Sequence, residues 1–446
     1  MSARDDEVAA RPTSRSRIAA IMVGSAGNLV EWYDFYAYAA FALYFAAAFF
    51  PGDDPVVQQL NAAIVFAFGF IVRPLGGWFF GYVADRHGRR RALMGSVLLM
   101  CVGSLMIAVM PTYASIGVAA PVLLGVVRML QGLSLGGEYG TSATYLTEIA
   151  DAEHRGFYSS FQYVTLIGGQ LCAVLVLLVL QHSVLTDADL RAWGWRIPFA
   201  IGAMLSIVAW LMRRSLPETN DFLIVKSQKT GQRPSPSLRT LMQHPREVLL
   251  VLGLTMGGTT AFYTYTTYMQ KFLRLSAGLT DRQTTLITAS SLVFALCLQP
   301  LYGALSDRIG RKPILIWFGV MGTACTIPLL DALQATKSAG VAFLLIAAAW
   351  MIVSGYTSIN AVVKAELFPT HVRALGVGLP YAVAVSVFGG TAESLALWFK
   401  SAGHERWFYY YLTALIATSL MVYVTMRDTR RHSAMSPDGL VPHDAG

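Results

Sequence analysis

Asn28, Glu31, Asp34 and Tyr38 recur three, three and four residues apart in an otherwise apolar run, GNLVEWYDFYAYAAF at 27–41. That spacing stacks them on one helical face. A carboxyl held there could take up and release a proton, and Asp34 and Glu31 are the candidates. Against that stands a plainer role, in which both acids only tie their helix to its neighbours. Two cations match the acids: Arg73 in FIVRPLGG and Arg128 in RMLQGLSLGGEYG. Neither guanidinium gives up its charge, so each needs an anionic partner wherever water is scarce. Arg128, Gln131, Leu135 and Glu138 are spaced three, four and three, again one face, and that polar face is expected to look into a cavity. Gly125, Gly132, Gly136 and Gly140 form a neighbouring stripe of small residues for close helix packing. Two readings stand for the arginines: internal ion pairs, or bidentate binding of a ligand carboxylate.

These residues sit in segments built for lipid. The 446-residue chain is 55% hydrophobic and 13% charged, against about 25% charged in soluble domains. Its apolar residues fall in blocks of the length that crosses a hydrocarbon core of about 30 Å. We read twelve spans: 18–46, 61–83, 92–110, 118–143, 157–181, 195–213, 247–271, 284–305, 313–331, 340–364, 375–399 and 407–426. The fold class is therefore an all-α membrane protein. An acid near the bilayer centre costs about 2.5–3.5 kcal/mol on insertion scales, so acids retained there point to function. The first span is too long and too polar at its middle for a cleavable signal peptide.

The net charge of +8 raises nucleic acid as a partner, but its placement excludes that reading. Most of the 34 Lys and Arg flank one side of the spans, from Arg4, Arg11, Arg15 and Arg17 through Arg86, Arg89, Arg90 and Arg91 to Arg427, Arg430 and Arg431. Lys364 is counted with them, near the end of its span, where snorkelling alone would explain it. Eight, Lys271 included, fall on the opposite side. The asymmetry puts both termini in the cytoplasm. Cys101, Cys172, Cys297 and Cys325 lie singly on different spans and suggest neither a metal site nor a disulfide framework.

The one long polar stretch, 214–246, divides the spans six and six. Each half repeats a loop signature: Gly81, Asp85, Arg86, Gly88 and Arg89 in the first, and Gly303, Asp307, Arg308, Gly310 and Arg311 in the second. A second echo pairs Glu148 and Arg155 with Glu366 and Arg373. We therefore expect an N-terminal tail at 1–17, a six-helix bundle at 18–213, a cytoplasmic middle loop at 214–246, a second bundle at 247–426 and a C-terminal tail at 427–446.

GYVADRHGRR and GALSDRIGRK resemble the loop signature of the major facilitator superfamily. GNLVEWYDF, FIVRPLGG, RMLQGLSLGGEYG and GWRIPF resemble its metabolite:proton symporter family. GGEYGTSATY, SSFQYVTLIGGQL, FYTYTTYMQK and VRALGVGLPYAVA are similar to members that carry α-ketoglutarate (2-oxoglutarate). The resemblance covers all but the tails and parts of the middle loop. It implies two pseudo-symmetric six-helix bundles and proton-coupled import of a dicarboxylate across a bacterial inner membrane by alternating access. Citrate or shikimate is the alternative cargo. It supports Arg73 and Arg128 as anion-binding residues and Asp34 and Glu138 as proton-linked acids. It also implies that Asp85, Arg89, Glu148, Arg155, Asp307, Arg311, Glu366 and Arg373 pair across the cytoplasmic ends when that gate is shut. Such pairs, if exposed, are each worth about 0–1 kcal/mol, so only a network of them would bias the gate.

In the second half, GGTTAFYTYTTYMQ is dense in hydroxyls, and Tyr263 and Tyr265 are the leading ligand-binding candidates there. The threonines are expected to bond within and between helices. Gln162, Gln170, Asn360 and Tyr381 are further cavity candidates, and Glu393 a second possible proton site. No P-loop ending GK[ST] appears, so no nucleotide is expected, and protons are the only coupling partner. An enzyme would need a nucleophile–base pair or a metal cluster, and none stands out. We expect a monomer whose partners are a carboxylate, protons and lipid.

Overall fold

The computed structural model describes residues 14–87, 89–136, 153–214, 238–369 and 372–435, together with Tyr139, Ala143, Thr144, Leu146, Thr147, Ala150 and Asp151. Among the described residues twelve helical segments cross the molecule. In the first half they are α1 (Ser14–Phe49), α2 (Pro55–Ile71, continuing as Arg73–His87), α3 (Arg89–Val109), α4 (Ala119–Leu135), α5 (Arg155–Val179) and α6 (Ile197–Arg214). The second half holds α7 (Pro245–Tyr263, continuing to Leu275), α8 (Asp281–Ile309), α9 (Arg311–Ala335), α10 (Ala339–Thr357, continuing as Asn360–Leu367), α11 (Arg373–Ala384, continuing to Ser401) and α12 (Glu405–Thr425). Among the described residues nine helices are long and apolar enough to cross a membrane, and Met94–Val109 and Ala119–Leu135 are shorter apolar helices.

Most helices start earlier than hydropathy places them, two of them at clear capping signals. Asp54 caps α2 through its side chain, which accepts from Val56 N, and Pro55 fills the first turn. Thr280 and Gln283 form a capping box at the start of α8. Residues 1–13 and 436–446 of the predicted tails, most of the middle loop, Glu138, Gly140 and Glu148 lie outside the described residues, as do the side chains of Asp85 and Arg89.

Within the first half, small residues seat α4 on α2. A Cβ added to Gly132 would lie 1.9 Å from Gly69 O, and one on Gly136 would lie 2.0 Å from Arg73 O. On α2, a Cβ at Gly76 would meet Leu133 O at 2.1 Å. Backbone meets backbone along this seam.

Between the halves, contact closes both ends. At the motif-loop end, α5 meets α8 through Gly156, whose added Cβ would sit 2.3 Å from Ser306 Oγ and 2.5 Å from Gly303 O. Asp307 accepts from the N–H groups of Gly156 and Phe157 at 2.8 Å each, a carboxylate docked on the first turn of α5. Its charge is shared with Arg311 at 2.7 Å, which reaches on to Glu366 at 3.3 Å. Asp307, Arg311 and Glu366 are all buried, so they are not the weak exposed pairs expected. The C-terminal segment helps cover them: Thr429 Oγ1 donates to Glu366 at 2.6 Å, and Asp428 accepts from Arg311 N at 3.3 Å. Arg155 and Arg373 each open a helix, α5 and α11.

Near the middle of the molecule α2 meets α11: Ser386 Oγ donates to Phe70 O at 2.6 Å, and a Cβ on Gly390 would lie 2.5 Å from the Phe70 side chain. At the opposite end Arg191 pairs with Asp281 at 3.1 Å, and Lys271 donates to Ala39 O at 2.8 Å. The molecule is thus shut on both sides.

Gly156→Val is expected to wedge the motif-loop end open. Overpacking costs about 1–3 kcal/mol, a shift of about 5- to 150-fold between open and closed forms. Uptake by the variant, compared with wild type at equal amounts of folded protein, checks this.

Candidate functional site

At the centre, between the halves, α1, α2 and α4 face α11 around a small cavity. Trp32, Arg73, Leu135 and Tyr139 line it on one side, and Tyr381 and Val385 on the other. Arg73 is caged by rings, its guanidinium carbon 4.1 Å from the Phe70 centroid, 4.5 Å from Phe35 and 5.2 Å from Trp32. Such stacking holds the cation in place without satisfying its donors. Among the described residues its Nε and Nη2 have no hydrogen-bond partner, and no carboxylate forms an ion pair with it. Arg73 thus presents unbonded donors at the cavity.

Across the cavity lies a second polar group. Tyr139 and Tyr381 stack with centroids 3.6 Å apart, joining α4's extension to α11. Lys364 Nζ donates to Tyr139 Oη at 2.9 Å and lies 3.7 Å from the Tyr381 ring centroid, and Tyr139 donates to Asn360 Oδ1 at 3.0 Å. Lys364 is fully buried. It does not snorkel, because the first half covers it from above. Its position near the end of α10 therefore misled the sequence reading, which measured depth and not the opposing bundle.

Arg128 and Asp34 do not line this cavity. The expected shared face is not one face: three residues turn a helix by about 300°, so each such step drifts about 60° backward. The side chains consequently divide among neighbours. Asn28 donates to Thr165 on α5 at 2.9 Å, and Tyr38 to Ala62 O on α2 at 3.0 Å. Asp34 points between α3, α4 and α6. Its Oδ2 accepts from Ser104 Oγ and, at 3.2 Å, from Gln131 Nε2. Gln131 Oε1 in turn accepts from Arg128 Nη1 at 2.7 Å. Arg128 is itself caged over Phe35 and Tyr38 at 4.4 and 4.5 Å. A chain of hydrogen bonds therefore links acid to arginine behind the cavity wall. Both Asp34 Oδ1 and Arg128 Nη2 lack a hydrogen-bond partner among the described residues. Glycine at 202 makes room for that carboxylate, since a Cβ there would lie 2.1 Å from Oδ1. Glu31 is buried nearby on α1.

The other candidates divide. Tyr263 faces the interface, edge-on to Phe70 at 5.0 Å. Tyr265 does not; it points into the second half among Phe318, Gly322 and Ile416, because neighbours two apart on a helix face away from each other. Gln162 is buried on α5, where Tyr163 Oη lies 3.5 Å from Tyr381 Oη. Thr264, Thr266 and Thr267 bond to carbonyls four residues back, at 2.7, 2.7 and 3.0 Å. The chain widens into π-turns beside the site, at Thr264–Tyr268 in α7 and Val385–Gly389 in α11, a distortion common at functional positions.

Sequence reasoning also missed Lys271. Placed on the opposite surface by its span end, it is fully buried and pairs with Glu393 at 2.8 Å, while donating to Ala39 O of α1 at 2.8 Å. An acid on the facing helix was the readable signal. Removing one member strands the other charge at a cost of about 3–5 kcal/mol, whereas replacing both by apolar residues is often neutral. Lys271→Met alone is therefore expected to lower the thermal midpoint clearly, and Lys271→Met with Glu393→Leu to recover it, as read by melting the purified protein.

Comparison with known proteins adds the following. The family model described as sugar (and other) transporter matches residues 19–235 and 227–436. The chain is 51% identical over 409 residues to the alpha-ketoglutarate permease of Escherichia coli (strain K12), covering 92% of this chain and 93% of that protein. It is 34% identical over 390 residues to the citrate-proton symporter of Klebsiella pneumoniae, covering 84% of each. Among solved structures, the xylose transporter XylE from E. coli in a partially occluded inward-open conformation superposes with a TM-score of 0.72 at 20% identity, covering 94% of this chain and 99% of that one.

Proposed function

The chain belongs to the sugar (and other) transporter family, within the major facilitator superfamily, and we propose that it imports α-ketoglutarate together with protons. The observation that carries this reading is the Arg73 side chain, with free donors at a cavity between the halves, in a chain so similar to an alpha-ketoglutarate permease. A guanidinium with open donors matches a carboxylate in bidentate geometry.

Coupling follows from charge. Moving a dianion into a negative interior costs about 2.3 kcal/mol per charge per 100 mV. Protons travelling with it offset that cost and add the pH gradient. Asp34, joined through Gln131 to Arg128, is the proton-linked acid, with Glu31 close by; Glu138 belongs to the same proposal from its motif. No metal, nucleotide or other cofactor enters, and the chain is no enzyme. The protein sits in the bacterial inner membrane with both termini cytoplasmic, as a monomer. Rocking of one half on the other alternately opens the two closed ends. Asp307, Arg311 and Glu366, with Arg155, Arg373, Asp85, Arg89 and Glu148, form the cytoplasmic gate.

Purified protein in liposomes decides the reading. Labelled α-ketoglutarate is expected to accumulate only when a proton gradient is imposed, and unlabelled α-ketoglutarate to compete better than citrate, shikimate or proline. Accumulation without a gradient removes the coupling. Stronger competition by citrate transfers the assignment to the citrate-proton symporters that the chain also resembles.

A further inference from the structure

We propose that Lys364 is the second anion-binding cation of the site, so that a short dicarboxylate is held by one carboxylate in each half: Arg73 in the first, Lys364 in the second. The inference rests on the transport reading above and adds the residue that makes the site two-ended.

Lys364 is wholly buried, yet no described carboxylate pairs with it. Among the described residues its ammonium donates only to the neutral Tyr139 hydroxyl, at 2.9 Å, and lies over the faces of Tyr139 and Tyr381 at 4.8 and 3.7 Å. A buried ammonium of this kind is expensive unless an anion joins it. Compare Lys271, equally buried, which has Glu393 at 2.8 Å. The two tyrosines that hold Lys364 both line the cavity, Tyr139 on the side of Arg73 and Tyr381 on the other, and Lys364 stands behind them. A ligand bound at Arg73 therefore meets the second cation when the Tyr139–Tyr381 stack parts.

The arrangement gives binding a mechanical consequence. A monocarboxylate satisfies one cation, whereas a dicarboxylate ties α2 to α10 and α11 and favours closure. Tyr139 and Tyr381 then act as positioning residues, holding the ammonium at the cavity wall.

The test compares two ligands differing only in the distal carboxylate, α-ketoglutarate and 2-oxovalerate, by competition against uptake and by binding to the purified protein. A charge-assisted contact of the usual strength predicts that Lys364→Met weakens α-ketoglutarate by about 10- to 100-fold. The affinity for 2-oxovalerate is expected to stay near wild type, so the preference for the dicarboxylate collapses. Lys364→Arg, which keeps the charge, is expected to retain much of that preference. Equal weakening of both ligands, or an unchanged preference, overturns the proposal. Should Lys364→Met fail to fold, Lys364→Gln takes its place in the same comparison: it must weaken α-ketoglutarate relative to 2-oxovalerate, and equal effects on the two ligands overturn the proposal. Absence of α-ketoglutarate uptake by the wild-type protein is a different failure, that of the transport reading itself.

Discussion

Arg73→Ala is expected to leave a folded protein that takes up almost no substrate. The guanidinium is held by Trp32, Phe35 and Phe70 and keeps Nε and Nη2 unbonded at the central cavity. No described carboxylate pairs with it, so its removal strands no buried acid in an ion pair. The rings that cage it are apolar and can close on the space. What disappears is a pair of charge-assisted hydrogen bonds to the ligand, each worth about 1.5–3 kcal/mol. At about 1.4 kcal/mol per tenfold, substrate affinity falls by roughly 10²–10⁴. Uptake into liposomes and ligand-dependent thermal protection of the purified variant measure this together. Near-normal uptake would remove Arg73 from the site.

Asp34→Asn is expected to separate exchange from accumulation. The amide keeps the shape of the carboxyl and a carbonyl oxygen for the Ser104 and Gln131 donors that Oδ2 now engages. It cannot bind and release a proton. Because Asp34 lies behind the cavity wall, between α3, α4 and α6, the variant should still bind substrate and exchange labelled for unlabelled molecules across the membrane. It should not concentrate substrate when a proton gradient is applied. Counterflow and gradient-driven uptake, measured on the same preparation, check the two halves of this expectation. A variant that still accumulates substrate against its gradient places the proton elsewhere, with Glu31 and Glu393 the next carboxyls to test.

Much of the architecture was legible because lipid imposes a single length on every crossing, and because the motif around Asp85 returns around Asp307. Helix starts were readable too, in the Asp54–Pro55 pair and the Thr280 capping box, although hydropathy alone overlooked them. Gly132 and Gly136 were correctly assigned to packing, since only a helix seam needs small residues at that spacing. Side-chain direction was harder. Asn28, Glu31 and Asp34 share a stripe on paper, but a helix of 3.6 residues per turn rotates them toward different neighbours. Tyr265 shows the same limit in the second half, where one step of two residues separates it from the interface-facing Tyr263. Lys271 and Lys364 were misplaced for another reason. Distance along a span tells how deep a residue lies, and says nothing of what the other half lays across it.

The seam between α2 and α4 has a consequence for how the carrier works. Carbonyls sit so near Gly76, Gly132 and Gly136 that neither helix has room to slide along its partner. Arg73 and Arg128, one on each, are therefore fixed relative to each other like two teeth on a single gear. Whatever reshapes the ligand chamber during turnover must come from the opposite wheel, where α7 and α11 carry their loosened coils against an unyielding mate.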